Sequence, residues 1–468
     1  MISEKNKRLV NNSIIFTLGN LGSKLITFVM LPFYTARLSQ SGYGIADLIT
    51  TTVSLLTPII SLSIFEAVLR FNMENKYNSK KVISNALWVT LLGGMLLLLC
   101  LPLVYVFHIN YGSYILLILF GQAVQSLLSQ YAKSINRTAI YAKNGILLSF
   151  LTAGLNILFM YFFSLGIEGY LLSIVISLAI ANYWMFMTLN ISANFSFSLI
   201  DTTLIKEMFS YSIPLIPNSI AFWINNVANR YFILYFLGQK ANGIFAISNK
   251  IPTLIGVVNT IFFQAWQISV IKEFEDEDRI ENKNAFYSKT FSLYAQLLFI
   301  GVSGILLCLK PLMDLLVSSN FSSSWRYVPF LLLSTIYSSF SGFFGQYYIA
   351  AKQTKGVFNT TIVGAILNLF LNLILIPMFS LTGASISSAI SFFVIWIIRV
   401  KDTNRFVKTH IELKKMFINH FLLFLQIACL FLFTNSLKSM FFIQLPLFAV
   451  LLGYNCMINK SIFKKLRK

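Results

Sequence analysis

The chain has 468 residues, of which 57% are apolar, 15% aromatic and only 11% charged, with a formal net charge of +20. A soluble globular protein cannot cover that much apolar surface, so the composition is that of a chain buried in lipid. The positive charge lies in short segments between apolar stretches, which suits anionic lipid and membrane topology and excludes a nucleic-acid surface. No connection exceeds roughly 25 residues, which leaves no room for a soluble or nucleotide-binding domain.

Apolar stretches of about 20 residues match the ~30 Å hydrocarbon core at 1.5 Å rise per residue. The candidate spans, in chain order, are 12–34, 44–68, 82–107, 112–132, 144–165, 169–190, 212–237, 243–270, 286–309, 327–350, 356–378, 382–399, 417–434 and 439–458. The basic start, Met1 to Arg8, leads into an apolar stretch with no small-residue cleavage site, and is read as an uncleaved first span. With a cytoplasmic N-terminus, 28 Lys and Arg residues fall in inside segments and 5 in outside segments, while Lys24, Arg230 and Lys250 lie within spans. That asymmetry fixes orientation and supports the count, because one missing helix scrambles it. Both termini are then cytoplasmic.

Two stretches resemble each other at a spacing of 199 residues: Leu38-Ser39-Gln40 to Gly44-Ile45, and Leu237-Gly238-Gln239 to Gly243-Ile244. Each opens a span with an internal proline, Pro58 or Pro252. A looser pair joins Asn156 and Gly169 to Asn368 and Gly383. Six spans separate the copies, so the repeat is parallel, about an axis along the membrane normal. The expected architecture is an all-α integral membrane protein of about 14 transmembrane helices. Residues 1–200 and 201–400 form two pseudo-symmetric six-helix bundles around a central cavity, and 401–468 add two helices and a basic cytoplasmic tail.

Ionisable groups at membrane depth cost at least ~2.5–3.5 kcal/mol each, so they face a cavity or a partner. Span one carries Asn20, Ser23, Lys24 and Thr27 at helical spacing. Span two carries Asp47, Thr51 and Ser54 on one face, then Glu66 and Arg70. Span seven carries Asn218, Asn225, Asn229 and Arg230; Asn249 and Lys250 follow in span eight. These groups predict a wet cavity lined by Lys24, Arg230, Lys250 and Arg70 with Asn20, Asn225 and Asn229. Such a lining suits a large anion such as a pyrophosphate head group. Glu66 and Asp47 are the candidates for ion coupling. The competing possibilities are a simple Glu66–Arg70 pair at i, i+4, snorkelling of Lys24, Arg230 and Lys250 to an interface, and asparagines acting as interhelical glue.

Other features are read as structural. The 45 phenylalanines are scattered lipid-facing bulk, the four cysteines (Cys100, Cys308, Cys429, Cys456) small buried core residues, and the last two spans carry little polarity. No metal spacing, phosphate-cradling loop or nucleophile motif occurs, and none of the three histidines has a catalytic partner at telling distance. The chain is therefore not read as an enzyme, and no cofactor or metal is expected. The seat of the enzymatic alternative, a membrane glycan polymerase or ligase, is the outside loop at 310–326 with Asp314 and Arg326.

The opening Leu18-Gly19-Asn20-Leu21-Gly22-Ser23-Lys24, followed by Phe28, Leu31-Pro32-Phe33-Tyr34-Thr35, Leu38-Ser39, Tyr43-Gly44 and Asp47-Leu48, resembles the polysaccharide-biosynthesis flippases. These are the Wzx-type members of the multidrug/oligosaccharidyl-lipid/polysaccharide exporter superfamily. Phe65-Glu66-Ala67, Arg70-Phe71 and the Asn368 and Gly383 arrangement fit the same pattern. The resemblance implies two pseudo-symmetric bundles, alternating access and movement of undecaprenyl-pyrophosphate-linked oligosaccharides across a bacterial inner membrane. It also implies coupling to a proton or other ion gradient rather than to ATP. Expected partners are that lipid-linked oligosaccharide, the bilayer, and a glycan polymerase with chain-length proteins; the chain is expected to be monomeric. A cation-coupled multidrug exporter of the same superfamily is the alternative within transport. The two intramembrane acids, Asp47 and Glu66, against three or four bases argue against it.

Overall fold

The computed structural model describes residues 22–74, 76–275, 280–351, 353–433 and 437–458. These residues are overwhelmingly helical and contain no strand. This is the expected outcome in lipid, where a helix satisfies its own backbone polar groups. Among the described residues nine helices are long and apolar enough to cross a membrane. A tenth counts if Asn229–Ser248 and the bent Pro252–Gln267 that follows form one span. The chain is a multi-pass membrane protein. It divides into two compact units, Met1–Trp223 and Ile224–Lys468.

In the N-terminal unit the Gly112–Ser134 helix is the hub, packed by Gln40–Ile60, Ile64–Asn72, Ser79–Leu99 and Gly166–Thr188. One apolar cluster joins Val68, Ile83, Leu127, Leu128, Met185 and Met208; a second joins Ile49, Val53, Ile118, Leu119, Leu171 and Leu178. The span expected over 44–68 is broken at Ser61–Ser63, where Leu62 and Ser63 take left-handed φ of 49° and 50°. The break follows Pro58 and is repaired locally: Ser63 N donates to Pro58 O at 2.9 Å and Ser61 Oγ to Thr57 O at 2.7 Å. Membrane helices tolerate such breaks when the chain itself re-satisfies the freed groups. The connection before Thr202–Ser212 is clamped by fully buried Asn85, which donates to Lys81 O and Leu199 O and accepts from Asp201 N. Asp201 then caps that helix through Thr203 N and takes a 2.6 Å bond from Lys81 Nζ.

In the C-terminal unit two apparently continuous helices are hairpins. Asn229–Ser248 breaks at Gly238 (φ 81°), and Arg230 lies 6.0 Å from the Phe245 ring. Fifteen residues of straight helix would part them by about 22 Å. Thr354–Thr403 breaks at Ser380 (φ 53°), and Arg399 bonds Thr360 at 2.9 Å, where a straight helix would part them by about 58 Å. The breaks fall where the candidate spans change, at 237–243 and 378–382.

The repeated residues mark these turns. Leu38 ends one helix and Ser39 caps the next by accepting from Gly42 N at 3.0 Å; the counterpart of Ser39, Gly238, supplies a left-handed backbone instead. Gly169 and Gly383 lie just after the second turn of each pair. A Cβ at Gly383 would overlap the Leu375 carbonyl, and one at Gly169 would be 3.1 Å from Phe159 Cβ.

Three expectations need correction. The phenylalanines are not all lipid-facing. Phe340, Phe343, Phe344, Tyr347 and Tyr348 form one buried stripe on Val328–Ala350, and Phe343 stacks on Trp266 with centroids 4.4 Å apart. Their spacing of 3, 1, 3 and 1 is the helical repeat of a core face, so the signal was present in the sequence. The cysteines are not core residues: Cys308 and Cys456 are exposed, and Cys100 and Cys429 are half-buried. The last two helices, Leu413–Leu432 and Leu437–Ile458, are joined by buried polar groups. Asn419 and Asn455 exchange hydrogen bonds, Gln444 donates to Gln426 O, and Gln426 pairs with Ser303. Isolated amides in an apolar run look minor in sequence, yet two facing amides satisfy each other where lipid offers no partner.

Gly383→Ala should destabilise the protein by about 3 kcal/mol, because the obstructing atom is backbone. Gly154→Ala, with open space around its Cβ, should be neutral or favourable by about 0.5–1 kcal/mol. Thermal unfolding of the detergent-solubilised protein checks both, and equal effects would contradict the hairpin packing.

The Lys81 hydrogen bond holds the Asp201 carboxyl below its usual range. A depressed carboxyl adds stability above its unfolded value of about 3.9 and loses it as pH falls through the lowered folded value. The melting-temperature gap between wild type and Asp201→Asn should therefore hold from pH 7 to about pH 5 and close under stronger acid. A gap that widens on acidification would refute the pairing.

Candidate functional site

The N-terminal unit holds a polar cavity of about 310 Å³ at the hub helix. Gln122, Gln125, Ser126, Ser129, Gln130 and Lys133 all line it. They recur at i, i+3, i+4, i+7, i+8 and i+11, a single stripe along Gly112–Ser134. Sequence reasoning missed this stripe because each residue alone is unremarkable among Leu, Ile and Ala; the spacing was the available signal. Opposite it stand Ser23, Phe65, Tyr141 and Gly145. The 22–29 helix packs beside Gly145, where a Cβ would make only an ordinary contact of 3.4 Å with Ser23 Oγ.

The cavity wall is held by buried amides. Gln125 Nε2 donates to Asn144 Oδ1 at 2.5 Å, and fully buried Asn144 donates to Ala181 O. Lys133 Nζ lies 4.3 Å from the Tyr141 ring centroid, a cation–π contact. Glu66 joins the stripe by accepting from Gln130 Nε2 at 3.2 Å. Arg70 does not pair with Glu66. It is exposed and its Nε meets Glu74 Oε1, one turn further along the chain, at 3.0 Å, while Glu66 is engaged by Gln130.

The remaining candidates of this unit are more dispersed. Lys24 is exposed on the 22–29 helix, one residue from the cavity-lining Ser23. Asp47 is half-buried on Gln40–Ile60, on the face where Trp223 Nε1 donates to Thr51 O and Ser54 Oγ. Asn20 lies outside the described residues.

The C-terminal unit gathers its own polar residues. Arg230 is buried at 8% exposure and its Nη1 lies 3.5 Å from Asn229 Oδ1, while Asn229 Nδ2 reaches Ser388 Oγ at 3.4 Å. Asn225 donates to Thr361 O at 2.9 Å. Lys250 is half-buried and sits in the break between helices rather than within a span.

The sequence places Arg399 in an inside loop, but it is buried in the same polar seam. Its guanidinium donates to Thr360 Oγ1, Ser341 O, Ser341 Oγ, Val357 O and Thr361 Oγ1 at 2.8–3.3 Å. A Cβ on Gly345 would come within 2.9 Å of its Nη1. The 310–326 loop, by contrast, gathers no reacting set: Arg326 and Lys310 stack on buried Trp325, and Ser324 O accepts from Ser248 Oγ.

The model of the family described as polysaccharide biosynthesis protein matches residues 9–267, more than half of the chain. The chain belongs to this family, as the motifs around Lys24 and Glu66 imply. A Lsg locus protein of Haemophilus influenzae is 20% identical over 345 residues, covering 70% of this chain and 82% of its own. The "Probable low-salt glycan biosynthesis flippase Agl15" of Haloferax volcanii is 25% identical over 207 residues, 43% of each chain. Among solved structures, the lipid II flippase MurJ in its inward closed conformation matches with a TM-score of 0.71 at 12% identity, covering 98% of this chain and all of that one. An inward-facing multidrug resistance MATE family transporter of the MOP superfamily matches with a TM-score of 0.65 at 15% identity, covering 83% and 94%. At such identities the structures speak for the fold. The named relatives and neighbours include flippases and transporters rather than catalysts.

Arg399→Leu should cost about 3 kcal/mol, since it strands the acceptors that the guanidinium now satisfies. An unchanged unfolding temperature would show that those bonds carry no stability.

Proposed function

We propose that the chain is a flippase for lipid-linked oligosaccharides, moving undecaprenyl-pyrophosphate-linked repeat units of a surface glycan across a bacterial inner membrane. The termini lie in the cytoplasm, the working form is a monomer, and an ion gradient supplies the energy. The observation that carries this is the polar stripe of Gly112–Ser134, a helix long and apolar enough to cross a membrane, in a chain of the polysaccharide biosynthesis family. A hydrophilic glycan pays a prohibitive desolvation cost in hydrocarbon. A row of amides, hydroxyls and one ammonium replaces the water it loses, while the polyprenyl tail stays in lipid.

The roles divide by chemistry. Lys24, Arg230 and Lys250 supply positive charge for the pyrophosphate, with Arg230 the one best fitted to grip two oxygens at once. Asn225 and Asn229 orient the C-terminal seam, and Asn20 and Arg70 extend the substrate-facing polar set. Glu66 is assigned the coupling proton, which its hydrogen bond from Gln130 of the stripe supports, and Asp47 is the second candidate. The exporter reading fits less well, because cationic drugs call for acids where this chain sets bases.

Reconstituted into vesicles with a fluorescent lipid-linked oligosaccharide, the wild type should equilibrate the lipid between leaflets without lengthening the glycan. Lys24→Ala and Arg230→Ala should slow this at least about tenfold, the value of one 1.4 kcal/mol contact, while still inserting normally. Glu66→Gln should remove acceleration by a pH gradient. Glycan elongation by the wild type would favour a polymerase, and full rates in all three variants would discard these assignments.

A further inference from the structure

The C-terminal unit contains a larger cavity, about 750 Å³, that the flipping reading does not use. It opens at one end of the hairpin formed by Thr354–Thr403. Lys355, Asn359 and Thr360 line it from the outgoing limb, and Ile398 and Asp402 from the returning limb, with Arg405 just beyond. Its volume lies within the roughly 300–1,000 Å³ of small-molecule pockets.

Three features define its chemistry. Thr360, part of the lining, accepts at Oγ1 from Arg399 Nε, so the buried guanidinium lies directly behind the wall. All partners of Arg399 are neutral oxygens, and no carboxylate among the described residues lies within ion-pair distance. Its charge is therefore not cancelled locally, and it acts at short range through a medium of low dielectric. Lys355 and Arg405 add two exposed cations at the mouth. The carboxylate in the lining, Asp402, is already occupied: its Oδ2 accepts from Tyr348 Oη at 2.7 Å and from Arg405 Nη2 at 3.3 Å.

We propose that this cavity is a binding site for a phosphate-ester anion at the membrane surface. Arg405 and Lys355 meet the phosphate oxygens, Asn359 and Gln353 offer amide donors, and Arg399 supplies the background field. Val363 and Ile398 give the adjoining apolar wall that an esterified chain would touch. The phosphate has two physical sources, a lipid head group in the leaflet or a soluble phosphate from the aqueous phase. The site does not depend on the flipping assignment, since retention of an anion requires no transport.

The test uses the full-length protein in nanodiscs of phosphatidylcholine with phosphatidylglycerol, released for native mass spectrometry, and in parallel thermal unfolding with inorganic pyrophosphate. Lys355→Gln combined with Arg405→Gln alters only exposed side chains, so folding should survive, as size-exclusion elution will show. Wild type should retain phosphatidylglycerol, or be stabilised by pyrophosphate, about tenfold more strongly than the double variant, one 1.4 kcal/mol contact. Asp402→Asn should strengthen retention. A variant-sensitive lipid signal identifies a head group as ligand, and a variant-sensitive pyrophosphate signal identifies soluble phosphate. Equal responses of wild type, the double variant and Asp402→Asn to both probes would overturn the proposal.

Discussion

Hydrocarbon offers no hydrogen-bond partner, so each polar group placed at membrane depth must find one in the chain itself. The fold is organised by that constraint. Backbone breaks at Ser61–Ser63, Gly238 and Ser380 occur only where neighbouring groups or a sharp reversal absorb them. Polar side chains appear in matched sets: Asn419 with Asn455, Gln426 with Ser303, Gln125 with Asn144. Other buried polar atoms have no such partner among the described residues, Gln125 Oε1 itself among them. Asn368 Nδ2 and Asn372 Oδ1 are deeply buried without a partner among the described residues, although the two side chains bond each other once.

The two units solve one architectural problem with different residues. The reversal after the first repeated segment uses a serine cap at Ser39 in one copy and a left-handed glycine at Gly238 in the other. The second reversal relies in both copies on a glycine, Gly169 or Gly383, that lets the limbs touch. The polar content has diverged further. The N-terminal unit carries amides and hydroxyls with Glu66 and Lys133, whereas the C-terminal unit buries two guanidiniums, Arg230 and Arg399. Arg399, bonded to neutral oxygens, and buried Arg230 give the second unit two interior guanidiniums. That suits a chain whose proposed cargo carries a pyrophosphate.

Much of the helical layout was legible because apolar length and loop charge are strong signals in lipid. The hairpin at Ser380 was placed within two residues by hydropathy and by the Asn368 and Gly383 pair alone. Side-chain partnerships were less legible. Glu66 and Arg70 are four apart and look paired, yet the Ser61–Ser63 break turns that short helix so that Glu66 meets Gln130 and Arg70 meets Glu74. Arg399 looked like a loop cation because it closes an apolar run; only the reversal of the chain sets it against Thr360 and Ser341. The stripe from Gln122 to Lys133 and the aromatic stripe from Phe340 to Tyr348 were readable by period. Neutral amides and rings carry no charge to set them apart from an apolar background, so only their period marks them.

The central claim is that the stripe on Gly112–Ser134 borders water, not lipid. Its most direct test is thiol accessibility in intact membranes, after replacing the four native cysteines. Cysteine at Gln122, Ser126 or Gln130 should react with a membrane-impermeant thiol reagent and be protected by lipid-linked oligosaccharide. Cysteine at Leu117 or Phe150, both exposed apolar positions of the same unit, should stay inert. Stripe positions as unreactive as Leu117 would mean that no hydrophilic path runs along this helix.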